Sequence, residues 1–221
     1  MLIEPNSHLY TYVIARDFGF APNPFHGVCT LATCKPGIRK SAQIGDWILG
    51  VGGSKLGSAY RKCILLMKVS EKMSFQNYWD DFRFEIKKPC RNGSQVKMLG
   101  DNIYHRNAHD EWVQEDSHHS NADGTINRVN LDRDVGTSDQ VLISNFFFYF
   151  GQKAVLVDLE SISYVSGLGF KKINLSQSLG GRELINSIYK NNRKSINLLI
   201  ADPYQFMNSH QRVDQGTGKI T

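Results

Sequence analysis

Two strand-like runs bracket a proline- and glycine-bearing loop in the first quarter of the chain, and this pattern constrains the fold most. Residues 9–16 and 47–51 are rich in β-branched, aromatic and other apolar residues, which is the signature of strands. Between them, DFGFAPNPFHG at residues 17–27 carries two prolines and two glycines, which exclude a helix or a paired strand. Strands that deliver an irregular polar loop to one place commonly build a site. The sequence therefore predicts a binding site around this loop.

Further apolar runs continue the pattern along the chain. Residues 62–69 and 141–150 predict strands, and residues 96–99 predict a short one. Ser74 is a predicted N-cap, and the aromatic residues after it repeat at helical spacing. Residues 181–191 predict a second helix. The elements show no regular βαβ alternation, so the prediction is an α+β fold built on a small β-barrel with packed helices.

The length of 221 residues fits one domain, predicted at residues 1–207. Residues 101–139 are rich in Asn, Asp, His and Ser, and they predict a long polar loop insertion. A loop of this length inside a compact domain is usually functional or disordered. The polar tail, residues 208–221, is expected to be loose.

Charge and cysteine usage limit the class of protein. The net charge is +5, but 21 acidic residues are spread among 26 basic ones, which disfavours a surface that coats nucleic acid. A pocket for one nucleotide or phosphate is compatible with this balance. The N-terminus has no signal-peptide pattern, and no apolar run approaches the roughly 20 residues of a membrane span. Four cysteines do not predict a disulfide scaffold. We expect a cytoplasmic protein with reduced thiols, for which an oligomer is possible.

Candidate ligand-binding residues carry polar or aromatic side chains in the predicted loops. They are Arg16, Asp17, Phe18, Asn23, Phe25, Asp46, Asn102, Tyr104 and Ser117. Arg16 either forms a local ion pair with Asp17 or acts as a fork for a phosphate or carboxylate. The phenylalanines either fill the core or stack on a base.

Candidate catalytic residues are those that can form a nucleophile–base pair: Cys29, Thr30, Lys35 and His118. The alternative is that the cysteine is a core residue and the histidine lies in a hydrophilic loop. The sequence alone does not decide between them.

Zinc is a weaker hypothesis. Cys29 and Cys34, and likewise His105 and His109, have the spacing of a ligand pair. The roughly 70 residues between the pairs exceed the gap of a zinc finger. We therefore predict no metal and no cofactor. The glycines of residues 50–57 also lack the Gly-Lys-Ser/Thr order of a phosphate loop.

Three motifs resemble those of PUA-like barrels, the group of the EVE, ASCH and YTH domains. The motifs are GDWILGVGG, KCILLMKV and SFQNYWDDFRF, in that order within about the first 90 residues. The resemblance implies a barrel in which a GD turn introduces a strand and an aromatic residue lies near a binding pocket.

A closer resemblance is to the second nucleotide-modification-associated domain family, which is found in phages and bacteria. It is carried by ARDFGFAPNPFHGVCTLATCKPGIR with IGDWILG, then LGDNIYH, and then EDSHHSNADG with DQVLISNFFFYFG. The resemblance implies a role near nucleotide or nucleobase modification and makes the motif positions candidate site residues.

The leading hypothesis is a domain that binds a nucleotide, a modified nucleobase or nucleic acid in phage or bacterial nucleic-acid modification or defence. The first alternative is an enzyme that hydrolyses or transfers a group on a modified base or nucleotide. The second alternative is a protein-partner module of a phage or defence complex. Whether the protein is an enzyme stays open at this point.

Overall fold

A computed structural model describes residues 2–167 and 169–221. Ten strands form within these residues, and they are numbered here in chain order. They are β1 (His8–Ile14), β2 (Cys29–Leu31), β3 (Trp47–Gly52), β4 (Cys63–Lys68), β5 (Glu71–Met73), β6 (Tyr104–Arg106), β7 (Trp112–Gln114), β8 (Val141–Ser144), β9 (Phe147–Tyr149) and β10 (Phe170–Asn174).

The helices of the same described residues are short except for the last. The α-helices are α1 (Pro36–Ser41), α2 (Phe75–Asp80), α3 (Gln95–Met98), α4 (Arg128–Val135) and α5 (Leu179–Asn192). Short segments of 3-10 helix span Ser54–Ala59, Phe82–Lys87, Gly151–Lys153, Arg193–Ser195 and Phe206–Asn208.

A five-stranded sheet in the order β10–β1–β3–β4–β9 forms the centre of the fold. β1 and β3 are parallel, and the other neighbours are antiparallel. Every residue of β3 is buried, because apolar side chains cover both faces of the sheet. The sheet thus fixes the end of β1, from which the proline-bearing loop departs.

A second sheet has the order β2–β8–β5, and the consecutive strands β8 and β9 lead from this sheet into the first. The mixed helix-and-strand composition is as predicted. The small PUA-like barrel is not confirmed, since the described strands form three sheets and none of them closes on itself. Three of the strands in the two larger sheets, β2, β5 and β9, are each only three residues long.

Residues 101–139 are more regular than their composition predicts. They contain the hairpin β6–β7 and helix α4, which the side chain of Asn127 caps by accepting a hydrogen bond from the Asn130 backbone N–H. Many polar residues of this segment are buried because they bond to one another or to nearby backbone. The segment is therefore part of the packed domain.

The predictions for individual elements mostly hold. Residues 9–16, 47–51 and 62–69 form β1, β3 and β4, and Ser74 caps α2 by accepting a hydrogen bond from the Asn77 N–H. The predicted strand at residues 96–99 is wrong. It is helix α3, because Ser94 caps it by accepting from the Lys97 N–H. Within the described residues, every helix is too short or too polar to cross a bilayer.

Candidate active site

A cavity of about 200 Å³ lies where the end of β1 meets the start of α1 and the polar segment. Arg16, Phe18, Lys35 and His118, all predicted as site residues, line this cavity together. Its other lining includes Cys34, His119, Arg133 and Gln215. The structure therefore brings together residues separated by up to about 200 positions in the sequence.

Cys34 lies at a constrained backbone position on the cavity wall. Cys34 and Lys35 have φ of 55° and 39°, the left-handed region that non-glycine residues seldom adopt. Two contacts fix the turn: the Cys34 N–H donates to Asp134 Oδ1 at 2.7 Å, and Arg39 Nε donates to the Cys34 carbonyl at 2.8 Å. Pro36 then begins α1, a position where its missing N–H has no cost. The turn holds the half-buried thiol at the cavity.

His119 and Asp134 continue from the Cys34 thiol into the interior. His119 Nε2 lies 3.8 Å from Cys34 Sγ, and the opposite ring nitrogen, Nδ1, lies 2.8 Å from Asp134 Oδ2. Tyr104 donates its hydroxyl to the same carboxylate oxygen at 2.9 Å. A thiol, an imidazole and a carboxylate in this order form the arrangement of a cysteine-nucleophile triad.

Electrostatics favour an ion pair between the His119 imidazolium and the Asp134 carboxylate. Burial opposes protonation of His119, but the Asp134 carboxylate and the Cys34 thiol outweigh burial and raise the histidine pKa far above its ordinary value. Burial likewise opposes ionisation of Asp134, yet His119 holds the carboxyl pKa below its ordinary value. Both shifts point the same way, to an imidazolium next to the thiol at neutral pH.

The same three residues have metal-ligand chemistry, with their ligand atoms within 4.8 Å of one another. The geometry is nevertheless a relay, because Asp134 and Cys34 face opposite nitrogens of the His119 ring. An ion at Nε2 would have two protein ligands, whereas catalytic zinc usually has three. The cysteine pair and the histidine pair that have zinc-ligand spacing do not come together either, since His105 pairs with Glu115 and stacks on Trp79.

His118 has a packing role beside the triad. Its ring lies 4.6 Å from that of Phe18 and 5.0 Å from that of Phe20, and its Nδ1 donates to the Gln211 carbonyl at 2.6 Å. Burial and the adjacent His119 hold the pKa of His118 well below its ordinary value, so this ring is neutral. His119, and not His118, is therefore the imidazole that faces the thiol.

The cavity rim is cationic. Lys35 Nζ lies 5.1 Å from the centre of the Tyr12 ring and has no carboxylate within 4.0 Å in the described part of the chain. Arg16 donates to the Gly218 carbonyl at 2.6 Å. Arg133 contacts Gln215. Because burial lowers the pKa of Lys35, an anion bound beside it would relieve an unfavourable buried charge.

The predicted nucleophiles in β2 lie outside the cavity lining. Cys29 is fully buried, and burial raises the pKa of its thiol to about 12. Thr30 is also buried and donates its hydroxyl to Asp101 Oδ2 at 2.6 Å. These contacts make both residues structural, because neither presents a reactive atom to the cavity.

Several predicted ligand-binding residues also have structural contacts. Asp17 accepts hydrogen bonds from the Tyr149 hydroxyl and, at 3.1 Å, from the Tyr204 N–H, while burial raises its pKa to about 6. Asn23 and Asn102 donate to the carbonyls of Leu99 and Tyr78.

Of the remaining predicted residues, two have contacts elsewhere in the fold and one lies near the triad. Asp46 accepts from the backbone N–H groups of His8 and Gln43, and Phe25 packs on Phe206. Ser117 lies nearer the triad, where its hydroxyl accepts from the His119 N–H at 3.3 Å.

A larger cleft of about 510 Å³ lies between α5 and residues 155–161. Its lining includes Asp158 and Glu183 but no thiol, imidazole or cationic side chain in the described part of the chain. It lacks the groups that recognise a phosphate or perform covalent chemistry. The smaller cavity at Cys34 is therefore the candidate active site.

Comparison with known families agrees with the resemblance of the motifs. A family model described as nucleotide modification associated domain 2 matches residues 6–210, which is most of the chain. No curated protein matches the chain. No solved structure matches it either.

Proposed function

Because the chain belongs to the nucleotide modification associated domain 2 family, we propose that its cavity binds a nucleotide or modified nucleobase and that Cys34 performs covalent chemistry on it. The observation that carries this proposal is the alignment of Cys34, His119 and Asp134 at a cationic cavity. The proposed setting is nucleic-acid modification in phages or bacteria. Since a reactive thiol persists in a reducing compartment, we place the protein in the cytoplasm.

An acyl carbon fits this site better than a phosphorus atom as the centre of attack. Thiol-dependent phosphoryl transfer requires several donors around the transferred group. Here the Cys34 N–H is already bonded to Asp134, and Pro36 has no N–H. The Arg39 guanidinium donates to buried carbonyls instead of facing the cavity. The proposed substrate is therefore a nucleotide or nucleobase that carries an amide- or ester-linked group.

We propose that the Cys34 thiolate and the His119 imidazolium form the reactive ion pair. The Cys34 thiolate attacks the carbonyl carbon, and the carbonyl electron pair moves to oxygen. Collapse of this intermediate breaks the bond to the amine or alcohol, which takes a proton from the His119 imidazolium. Water then attacks the thioester, transfers a proton to His119 and releases the thiolate. The products are a carboxylic acid and an amine or alcohol, and the ion pair is restored.

Cys34 should react faster than an ordinary thiol. The raised pKa of His119 keeps a positive charge 3.8 Å from Cys34 Sγ, and a positive charge there stabilises negative charge on the attacking sulfur. At pH 6 we expect iodoacetamide to alkylate Cys34 at least about tenfold faster than an ordinary thiol, whose reactivity falls below about pH 8.5. Mass spectrometry of the alkylated peptides measures the rate, and the exposed Cys90 is an internal control.

The variant Asp134→Asn tests the cause of this reactivity. It removes the carboxylate that raises the His119 pKa, so the imidazolium and the thiolate it stabilises should be lost at pH 6 and the two proteins should converge at alkaline pH. If Cys34 and Cys90 have the same pH profile in the unmodified protein, the activated-thiol proposal is wrong.

Lys35 should distinguish a phosphate-bearing ligand from a neutral one. A charge-assisted hydrogen bond contributes about 1.5–3 kcal/mol, so Lys35→Ala should weaken binding of a nucleoside 5′-monophosphate by about 10- to 100-fold. Binding of the matching nucleoside should change little. Isothermal titration measures both affinities, and Lys40→Ala on the exposed face of α1 is the matched control. An equal loss for both ligands would contradict a phosphate contact.

A further inference from the structure

Gln215 lies directly beside the reactive atoms. Its side-chain Nε2 is 3.7 Å from Cys34 Sγ and 3.2 Å from His119 Nε2. Its backbone N–H donates to Asn130 Oδ1 at 2.8 Å, which fixes the residue on α4. Gln215 follows the end of the family match at residue 210.

The orientation of the Gln215 amide follows from its other neighbour. Arg133 Nη1 lies 3.2 Å from Gln215 Oε1 and 3.3 Å from the Gln215 carbonyl. Since a guanidinium can only donate, the side-chain oxygen is assigned to Arg133 and the NH₂ group to the Cys34 sulfur. The protonated His119 Nε2 is also a donor, so its 3.2 Å contact with the Gln215 NH₂ group is not a hydrogen bond, and both groups direct an N–H to the sulfur as their common acceptor. The site therefore presents a fixed N–H donor to the space around the sulfur.

The segment that carries Gln215 is firmly attached, contrary to the loose tail expected from its composition. Val213 is buried, donates its N–H to the His118 carbonyl at 2.9 Å, and accepts from Asn130 Nδ2 at 2.8 Å. Arg212 pairs with Asp116 and donates to the Ser117 carbonyl at 2.7 Å. Val213 and Gln215 form part of the cavity wall.

We infer that Gln215 donates a hydrogen bond to the oxyanion that forms when Cys34 attacks a carbonyl group, so that the last ten residues complete the catalytic centre. The inference rests on the proposed function and deepens it by assigning the group that stabilises the transition state. An oxygen on the attacked carbon is a neighbour of the sulfur and lies within reach of an N–H group 3.7 Å from that sulfur. No backbone N–H of Cys34 competes for it, because Asp134 occupies that donor.

The test compares two reactions of the same thiol in Gln215→Ala. Acylation by p-nitrophenyl acetate forms an oxyanion, and release of p-nitrophenolate in stopped flow measures its rate. Alkylation by iodoacetamide occurs at a saturated carbon and forms none. Removal of an oxyanion donor costs about 100-fold in rate, so we expect acylation to fall by about that factor while alkylation stays nearly unchanged.

The control is Gln211→Ala, the same chemical change four residues earlier, where the contact to His118 uses the backbone carbonyl. Unchanged alkylation of Gln215→Ala shows that the cavity is intact, which separates a catalytic effect from misfolding. If Gln215→Ala is acylated at the rate of the unmodified protein, the inference is overturned. It is also overturned if acylation and alkylation both accelerate in this variant, because Gln215 would then only cover the thiol. An unmodified protein without a Cys34-dependent burst overturns the proposed function itself.

Discussion

Cys34→Ala should abolish turnover while leaving nucleotide affinity nearly unchanged. The thiol supplies the attacking atom, so kcat for a nucleotide with an amide- or ester-linked group should fall by at least about 10⁴-fold, as for other nucleophile knockouts. The cations of the rim, Arg16, Lys35 and Arg133, are untouched. Isothermal titration with nucleoside monophosphates should therefore give an affinity within about threefold of the original, or 0.7 kcal/mol. The acetylated enzyme that we expect after p-nitrophenyl acetate treatment of the unmodified protein should be absent from the mass spectrum of Cys34→Ala.

Two further substitutions make this result specific to Cys34. Cys90→Ala removes an exposed thiol outside the cavity and should change neither turnover nor affinity. Cys29→Ser should also retain turnover in whatever fraction folds, because the Cys29 side chain is fully buried in β2. Turnover that survives in Cys34→Ala would refute covalent catalysis by Cys34.

Strong local patterns allowed much of the fold to be predicted. β3 and β4 are continuous apolar runs, and both faces of their sheet are covered, so burial and local propensity agree. α2 was predictable because Ser74 is an N-cap with an aromatic face after it. α3 was not, because the apolar character of residues 96–99 suggested a strand and only the Ser94 hydrogen bond decides for a helix.

Only part of the candidate site could be predicted from the sequence, since its residues meet through the fold. Arg16, Phe18 and Lys35 belong to the conspicuous loop system and do line the cavity. In the sequence Cys34 is marked only by its ligand-pair spacing to Cys29, because no local signal tells which of two cysteines faces a cavity. Its positive φ is set by contacts with Arg39 and Asp134, the latter 100 residues away.

Backbone direction decided between the two adjacent histidines. His118 and His119 have the same local composition, yet one packs between phenylalanines and the other faces the thiol. Asp134 lies on α4 within a segment predicted to be a loop, and Gln215 lies in the polar tail. A carboxylate and an amide in such segments are ordinary surface residues until the tertiary structure aligns them. The only general signal in the sequence was the concentration of polar residues, which the structure shows to be buried against one another.

Arg39→Met should be among the most destabilising single substitutions in the chain. Arg39 is fully buried, and its guanidinium donates to the carbonyls of Cys34 at 2.8 Å and Gln140 at 2.7 Å. It also donates to the carbonyls of Asp134 and Ser138. Methionine fills much of the volume of the arginine side chain but leaves these carbonyl acceptors unpaired. Each unpaired acceptor costs about 1–3 kcal/mol of stability before the structure relaxes. We expect a loss of about 3–5 kcal/mol, a large part of the 5–15 kcal/mol typical of a folded domain.

Urea unfolding followed by tryptophan fluorescence measures this loss. The matched control is Lys40→Met at the exposed neighbouring position of α1, whose free energy of unfolding should stay within about 0.5 kcal/mol of the original. Arg39→Lys should recover only part of the stability, because an ammonium cannot reproduce the planar fork. Since Arg39 connects the Cys34 turn to α4, the folded fraction of either Arg39 variant should also lose its rapid Cys34 alkylation at pH 6. If Arg39→Met folds with unchanged stability and unchanged alkylation, other contacts hold the thiol in place. The left-handed turn at Cys34 and Lys35 would then have to be maintained by Asp134 and Pro36 alone.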